Sequence, residues 1–267
     1  MSARLDAELA ARGLARSRTH AARLIADGLV DVDGARASKA SQRVDDAQGI
    51  TVRGSDGYVS RAAHKLIAAL DAFGVDPRGR VALDMGASTG GFTQVLRERG
   101  ADTVIAVDVG HDQIAPEVAA DPGVRVVEGF NVRFMTPENL AAESGETRAP
   151  SLITGDLSFI SLGHVLPAAR AVAADDADLL LLVKPQFEVG RTLVRGGIVE
   201  DPALRARAVD AVLARAWELG LGTLGVIASP LPGTHGNVEF VVRLAPGRGA
   251  DPTEWTDAVV ALADAAT

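Results

Sequence analysis

Lys65, Asp156, Lys184 and Glu239 are the polar residues that an α/β sheet would gather at one rim. Lys184 follows the aliphatic run Leu179–Val183 and precedes Pro185, so it emerges from the carboxyl end of a buried strand. Asp156 ends the strand before it, Ile-Thr-Gly-Asp, and therefore lies beside it. Glu239 starts the final strand after Gly236-Asn237, and Lys65 sits on the helix that opens the domain, after Ser60-Arg61. Open α/β sheets place their reacting groups outside those carboxyl ends. Singly, each residue has an ordinary explanation: a snorkelling lysine at 184, a helix cap at 156, an edge-strand charge at 239, a surface lysine at 65. As a set they suit a ribose 2′-hydroxyl acceptor. That hydroxyl is a poor nucleophile because it is almost wholly protonated at neutral pH. A lysine could take its proton or steady the developing alkoxide, with the carboxylates orienting the lysines. No His/Asp/Glu group has metal-ligand spacing, so no metal is expected, and His20, His64, His111, His164 and His235 are scattered.

A second constellation runs from Arg80 to Asp108, an apolar strand, a glycine-rich turn, an amphipathic helix and a second strand ending at a carboxylate. A glycine loop at a helix N-terminus cradles a ligand, and an acidic residue after the next strand suits a ribose. Three chemistries compete for Asp84-Met85-Gly86-Ala87-Ser88-Thr89-Gly90-Gly91. A dinucleotide needs glycine where Ser88 stands, and a P-loop needs Gly-Lys-Ser/Thr, which is absent. Gly86-Ala87-Ser88-Thr89-Gly90 also fits the G-x-S-x-G elbow of a hydrolase, with Asp156 or Asp201 and His235 to follow. Such an elbow, however, normally follows several strands, and no oxyanion segment precedes this one. S-adenosylmethionine is the cofactor this loop favours. Asp84, Ser88 and the turn at Gly86, Thr89, Gly90 and Gly91 would hold its amino-acid end. Asp108 would take the ribose diol, and Asn131 the ribose or adenine edge.

The elements around these residues fall into two parts. Residues 4–13 have helical spacing up to Gly13, Ser17 caps a second helix through Ala26, and Asp33-Gly34 signals a hairpin. A short strand from Gly49 to Arg53 closes this unit. Two helices and a small sheet with arginines on the helices resemble the S4-like RNA-binding module. After Tyr58, strands alternate with helices, near 81–85, 103–108, 124–128, 151–155, 178–184, 222–229 and 237–244. The last two form a hairpin. The expected fold is therefore α/β, a class I (Rossmann-like) methyltransferase with a seven-stranded sheet, plus a small N-terminal α+β domain. Boundaries are set at 1–54 and 60–267, with 55–59 as linker.

Composition fits a two-domain protein. The chain has 267 residues, is 47% apolar and contains no cysteine, which excludes disulfides and thiolate zinc sites. Its N-terminus is charged where a secretory signal would be apolar, and no run approaches a membrane span, so a cytoplasmic location is expected. The net charge of −8 is uneven: residues 1–61 sum to +2, and five arginines lie between Arg4 and Arg23. An acidic body with a basic arm is compatible with polyanion binding confined to that arm, through Arg4, Arg16, Arg18 and Arg23. The loop Gly190–Gly197, with Arg191 and Arg195, could close over a substrate or serve as a linker.

The whole chain resembles the TlyA family, known under both haemolysin and ribosomal RNA 2′-O-methyltransferase names, with an FtsJ-like catalytic domain. The resemblance is carried by RLDAELAARGLARSRTHAARLIADGLVDVDG, YVSRAAHKL, LDMGASTGGFTQVLRERGA, VDVG, DLSFISL, VKPQFEVGR and GNVEF, spanning most of residues 4–240. It implies that Lys65, Asp156, Lys184 and Glu239 are a catalytic tetrad. It also implies that Asp84 to Gly91 with Asp108 hold S-adenosylmethionine, and that the acceptor is ribosomal RNA, with a cytidine as target. Ala62-Ala63 stands where the family often has glycine, and no tetrad member is lost. The family's other name gives a different reading, a membrane-active haemolysin. A third is a catalytically idle RNA-binding or ribosome-assembly factor.

Overall fold

The computed structural model describes residues 2–15, 17–26, 28–52, 57–190, 194, 196–233 and 236–265. The chain divides into two compact units, Met1–Gly57 and Tyr58–Thr267.

The first unit comprises β1 (Ala3–Arg4), α1 (Leu5–Ala11), α2 (Arg18–Ala26), β2 (Val30–Val32), β3 (Ala35–Arg36), β4 (Arg43–Val44) and β5 (Ile50–Val52). Leu5 and Leu9 of α1 and Ala21 and Ile25 of α2 pack on Val30, Val32, Val44 and Ile50, which makes one apolar core under the sheet. Asp33 and Gly34 both take positive φ, the pair that a tight hairpin with right-handed strand twist requires. They join β2 to β3, while β5 pairs on the other side of β2. The helix expected over 4–13 spans only Leu5–Ala11, because Ala3 and Arg4 pair instead with Val44 and Arg43. A two-residue ladder carries no periodic signal, so the sequence cannot announce it.

The second unit follows the order α3 (Ala63–Phe73), β6 (Val81–Met85), α4 (Gly91–Glu98), β7 (Thr103–Val107), α5 (Pro116–Ala119), β8 (Val124–Val127), α6 (Pro137–Ser144), β9 (Leu152–Gly155), α7 (Leu166–Val172), β10 (Asp178–Val183), α8 (Pro185–Glu188), α9 (Pro202–Glu218), β11 (Leu221–Ala228), β12 (Phe240–Pro246) and α10 (Thr256–Ala265). Its sheet has the order β11-β12-β10-β9-β6-β7-β8. Strands β6 to β10 run parallel, and β12 inserts antiparallel between β10 and β11. Both faces are covered, which is why β6 and β10 carry apolar residues on both faces rather than alternating, with Asp84 and Asp178 as their acidic exceptions. Leu179, Leu181 and Val183 join the core beneath α7, α9 and α10, whereas Leu180 and Leu182 join the core beneath α3 and α4.

Strand order reverses between β6 and β9, which opens a crevice at their carboxyl ends. The last strand begins at Phe240 rather than 237, so Glu239 precedes it. Asn237 explains the delay. Its side chain bonds Gly197 and Val199 and its carbonyl accepts from the Gly233 amide, so the chain enters the ladder three residues later. Leu181 is fully buried at the centre of this sheet. Leu181→Ala is expected to destabilise the second unit by about 2–5 kcal/mol, read as a lower urea midpoint with an unchanged slope.

Candidate active site

Four separate segments converge at the carboxyl rim. Lys65 stands in the first turn of α3, Asp156 one residue past β9, Lys184 one residue past β10, and Glu239 one residue before β12. Lys65 Nζ donates to Glu239 Oε2 at 2.5 Å and lies 3.9 Å from Asp156 Oδ2. Lys184 Nζ approaches Asp156 Oδ1 at 2.6 Å and donates to Ser158 Oγ at 2.9 Å. Asp156 thus bridges both lysines. Its Oδ1 is paired with Lys184 by charge and has no hydrogen-bond donor among the described residues. Lys65, Lys184 and Glu239 are all buried, and two cations against two carboxylates leave the group neutral. Neutrality matters because an unpaired charge at such depth is prohibitively costly. Gly233 makes the space, since a methyl group there would collide with the Glu239 carboxylate.

The glycine loop sits directly beside this group. A Cβ on Gly86 would press on the Asp156 carbonyl and the Leu157 side chain, and one on Gly91 would press on Ser60, just before α3. Gly86 and Gly90 have φ of 79° and 92°, so backbone shape and close packing account for all three glycines without a ligand. The Gly86 and Ala87 amides both donate to the Val107 carbonyl, and the Ser88 amide, held at φ 49°, donates to Asp108 Oδ2. The Gly110 amide takes Asp108 Oδ1, so each oxygen of Asp108 is fixed by one backbone donor. A second lone pair on each oxygen is left for a vicinal diol. Thr89 is half-buried, and its carbonyl accepts from the Ala115 amide. Asn131 is exposed and caps a short 3-10 turn by accepting from the Arg133 amide. Asp84 is 1% exposed, and its carboxylate accepts from the Thr93 and Thr154 hydroxyls at 2.7 and 3.1 Å. Burial pushes it up to about 7 against those two hydrogen bonds, with Asp156 adding to the rise.

Sequence reasoning passed over the segment after Asp156. Phe159 is 92% exposed at φ 65°, a conformation an aromatic residue rarely holds, and its ring meets Phe187 at 5.4 Å. The strain is held by ties on either side, Lys184 to Ser158 and the Ser161 hydroxyl to Glu188 at 2.6 Å. Glu188 also accepts from the Leu162 amide, and burial raises its carboxyl. Asp-Leu-Ser-Phe-Ile-Ser-Leu was visible as a family segment, but no residue type in it announces a positive φ.

In the N-terminal unit, Arg4 and Arg18 both pair with Asp6. Arg16 and the side chain of Arg23 lie outside the described residues, as do Arg191, Arg195 and His235. Among the described residues no helix is long and apolar enough to cross a membrane, and no group of three His, Cys, Asp or Glu could hold a metal.

A seven-stranded sheet of this order, with a glycine loop after its first strand and a buried ion group at its carboxyl rim, defines a class I methyltransferase. An FtsJ-like methyltransferase model matches residues 58–245 and an S4 domain model residues 3–49. The 16S/23S rRNA (cytidine-2′-O)-methyltransferase TlyA of Mycobacterium tuberculosis is 52% identical over 245 residues, 91% of this chain and 89% of that protein. Hemolysin A of Brachyspira hyodysenteriae is 34% identical over 90% of this chain and 98% of its own length. A solved structure from Streptococcus thermophilus that carries the name hemolysin superposes with a TM-score of 0.78 at 35% identity, covering 99% of this chain and 96% of that one. The chain belongs to the TlyA family.

Because Asp84 titrates higher folded than unfolded, its contribution to stability is full below the ordinary value of 3.8 and is lost as pH rises through about 7. Asp84→Asn cannot titrate. The stability of wild type relative to this variant is expected to fall between about pH 4 and 7, by on the order of a few kcal/mol, and then level off in denaturant titrations. A flat difference across that range would show that Asp84 is ionised throughout.

Proposed function

We propose that this chain transfers a methyl group from S-adenosylmethionine to a ribose 2′-hydroxyl of ribosomal RNA, with a cytidine as the target. The observation that carries this reading is the neutral Lys65–Glu239/Asp156–Lys184 group, assembled from four segments beside the glycine loop. It is supported by family membership and by the cytidine-2′-O activity named for the M. tuberculosis relative.

Asp108, held by the Ser88 and Gly110 amides, takes the ribose diol of the donor. Ser88, Thr89 and the turn at Gly86, Gly90 and Gly91 shape the pocket for its amino-acid end, with Asp84 beneath. Asn131 borders the adenosine side. S-adenosylmethionine supplies, when bound, a methyl already activated on a sulfonium. The residues of this chain then have to bring the acceptor oxygen into line and manage its proton. Lys184 is the residue we assign to that oxygen: once its ammonium has given a proton to solvent, the free amine takes the hydroxyl proton as the methyl passes from sulfur to oxygen, which restores the charge that Asp156 balances. Asp156 holds Lys184 on one side and Ser158 holds it on another. Lys65, locked by Glu239, sets the orientation of Asp156 and keeps the group neutral. The N-terminal unit docks the RNA through Arg4, Arg16, Arg18 and Arg23, by shape and phosphate contacts rather than by base readout.

Lys184→Ala is expected to lower methyl transfer by at least about a hundredfold while RNA binding persists. Labelled S-adenosylmethionine with unmodified ribosomal subunits provides the measurement, and the labelled ribose should resist alkaline cleavage. A labelled site that still cleaves in alkali would place the methyl elsewhere. Normal turnover by the variant would remove Lys184 from the mechanism.

A further inference from the structure

Asp6 is the second residue of α1, Arg4 ends β1, and Arg18 opens α2. Arg4 grips the Asp6 carboxylate with both arms of its fork, Nε to Oδ1 and Nη2 to Oδ2, each at 3.0 Å. Arg18 Nη2 reaches the same Oδ2 at 3.3 Å, and the Ala7 amide donates to Oδ1 at 2.9 Å. Exposure is lopsided. The Asp6 side chain is 8% exposed, whereas those of Arg4 and Arg18 are 43% and 61% exposed. An approaching anion therefore meets two guanidiniums and not the carboxylate that holds them.

We infer that Asp6 is a positioning residue for RNA docking, joining Arg4 and Arg18 into one two-guanidinium clamp for the phosphodiester backbone. The inference rests on the proposal that Arg4 and Arg18 contact RNA, and it adds how they are presented. Two free arginines at this spacing would repel each other and sample many rotamers. A buried carboxylate between them cancels the repulsion and fixes both planes, while a guanidinium with five N–H donors keeps others for phosphate. The three charges sum to +1, so the site stays attractive to an anion. Arg4 first, and Arg18 after it, hold Asp6 down to about 2, so the carboxylate remains ionised at any pH at which RNA would be bound. Stability alone does not account for the arrangement, because half-exposed ion pairs contribute little to folding.

Simple electrostatics and positioning predict opposite signs for one substitution. Asp6→Asn removes a negative charge from the face that meets a polyanion, so attraction alone would tighten binding. Positioning predicts weaker binding, by about tenfold, together with a shallower salt dependence because fewer phosphates are neutralised. The measurement is filter binding of the full-length protein to an in vitro 23S ribosomal RNA transcript between about 50 and 200 mM salt. In an Arg4→Ala/Arg18→Ala background, Asp6→Asn should have no further effect. A further loss there would make Asp6 merely structural and overturn the inference. Arg4→Lys keeps the charge but loses the fork, and it should weaken binding without unfolding the unit. Equal or tighter binding by either Asp6→Asn or Arg4→Lys would also overturn the inference. If Arg4→Ala and Arg18→Ala each bind as wild type does, the failure belongs to the underlying proposal that these arginines meet RNA.

Discussion

Two lysines cannot be buried together unless something buried beside them carries the opposite charge. This constraint organises the catalytic unit. Lys65 and Lys184 come from a helix and a strand end that are far apart in sequence, and the carboxylates that neutralise them come from two further segments. The sheet order brings those segments within reach, because β12 lies next to β10 and β10 next to β9. Removing one partner would strand a charge in a low-dielectric setting, so the four residues behave as one unit. Gly233 and Asn237 serve the same end, the one making room for Glu239 and the other fixing the approach to β12.

The glycine loop and the ion group are mechanically linked. Gly86 lies against the Asp156 backbone, and Gly91 lies against Ser60 at the entrance to α3, which carries Lys65. A side chain at either position would push the glycine loop and the ion group apart. The loop's glycines therefore report packing as much as ligand binding. Ser88 with Asp108 is the more specific sign of a nucleoside site, because there the backbone fixes a carboxylate that is only half-buried.

Much of this was legible in the sequence, for identifiable reasons. Unbroken apolar runs such as Leu179–Val183 mark strands covered on both faces, and a lysine or aspartate just after such a run falls at the rim. The positions of Asp156 and Lys184 followed from that rule, Lys65 followed from the helix that opens the domain, and Glu239 followed less accurately because Asn237 delays the last strand. Three-dimensional pairings were not legible. Nothing in the residue types shows that Thr93 and Thr154 enclose Asp84, that Ser158 holds Lys184, or that Phe159 stands exposed at positive φ. Arg4 and Arg18 read as free cations because their partner, Asp6, looks like any acidic residue in the first turn of a helix.

The place of β12 has a consequence for synthesis. Lys65 and Glu239 are separated by 174 positions, and Glu239 is translated after the other three members of the ion group. The arginine-bearing N-terminal unit is translated before all four and has its own core, Leu5, Leu9, Ile25 and Val30 among others. During translation the chain thus passes through a stage in which the arginine-bearing unit is complete in sequence while the ion group still lacks Glu239. Only when the β11–β12 hairpin sets its second strand beside β10 do the two buried lysines acquire both counter-charges. Neutralisation of both lysines is thereby tied to completion of the sheet, and a chain truncated before Glu239 keeps the arginine-bearing unit but leaves Lys65 without its nearest counter-charge.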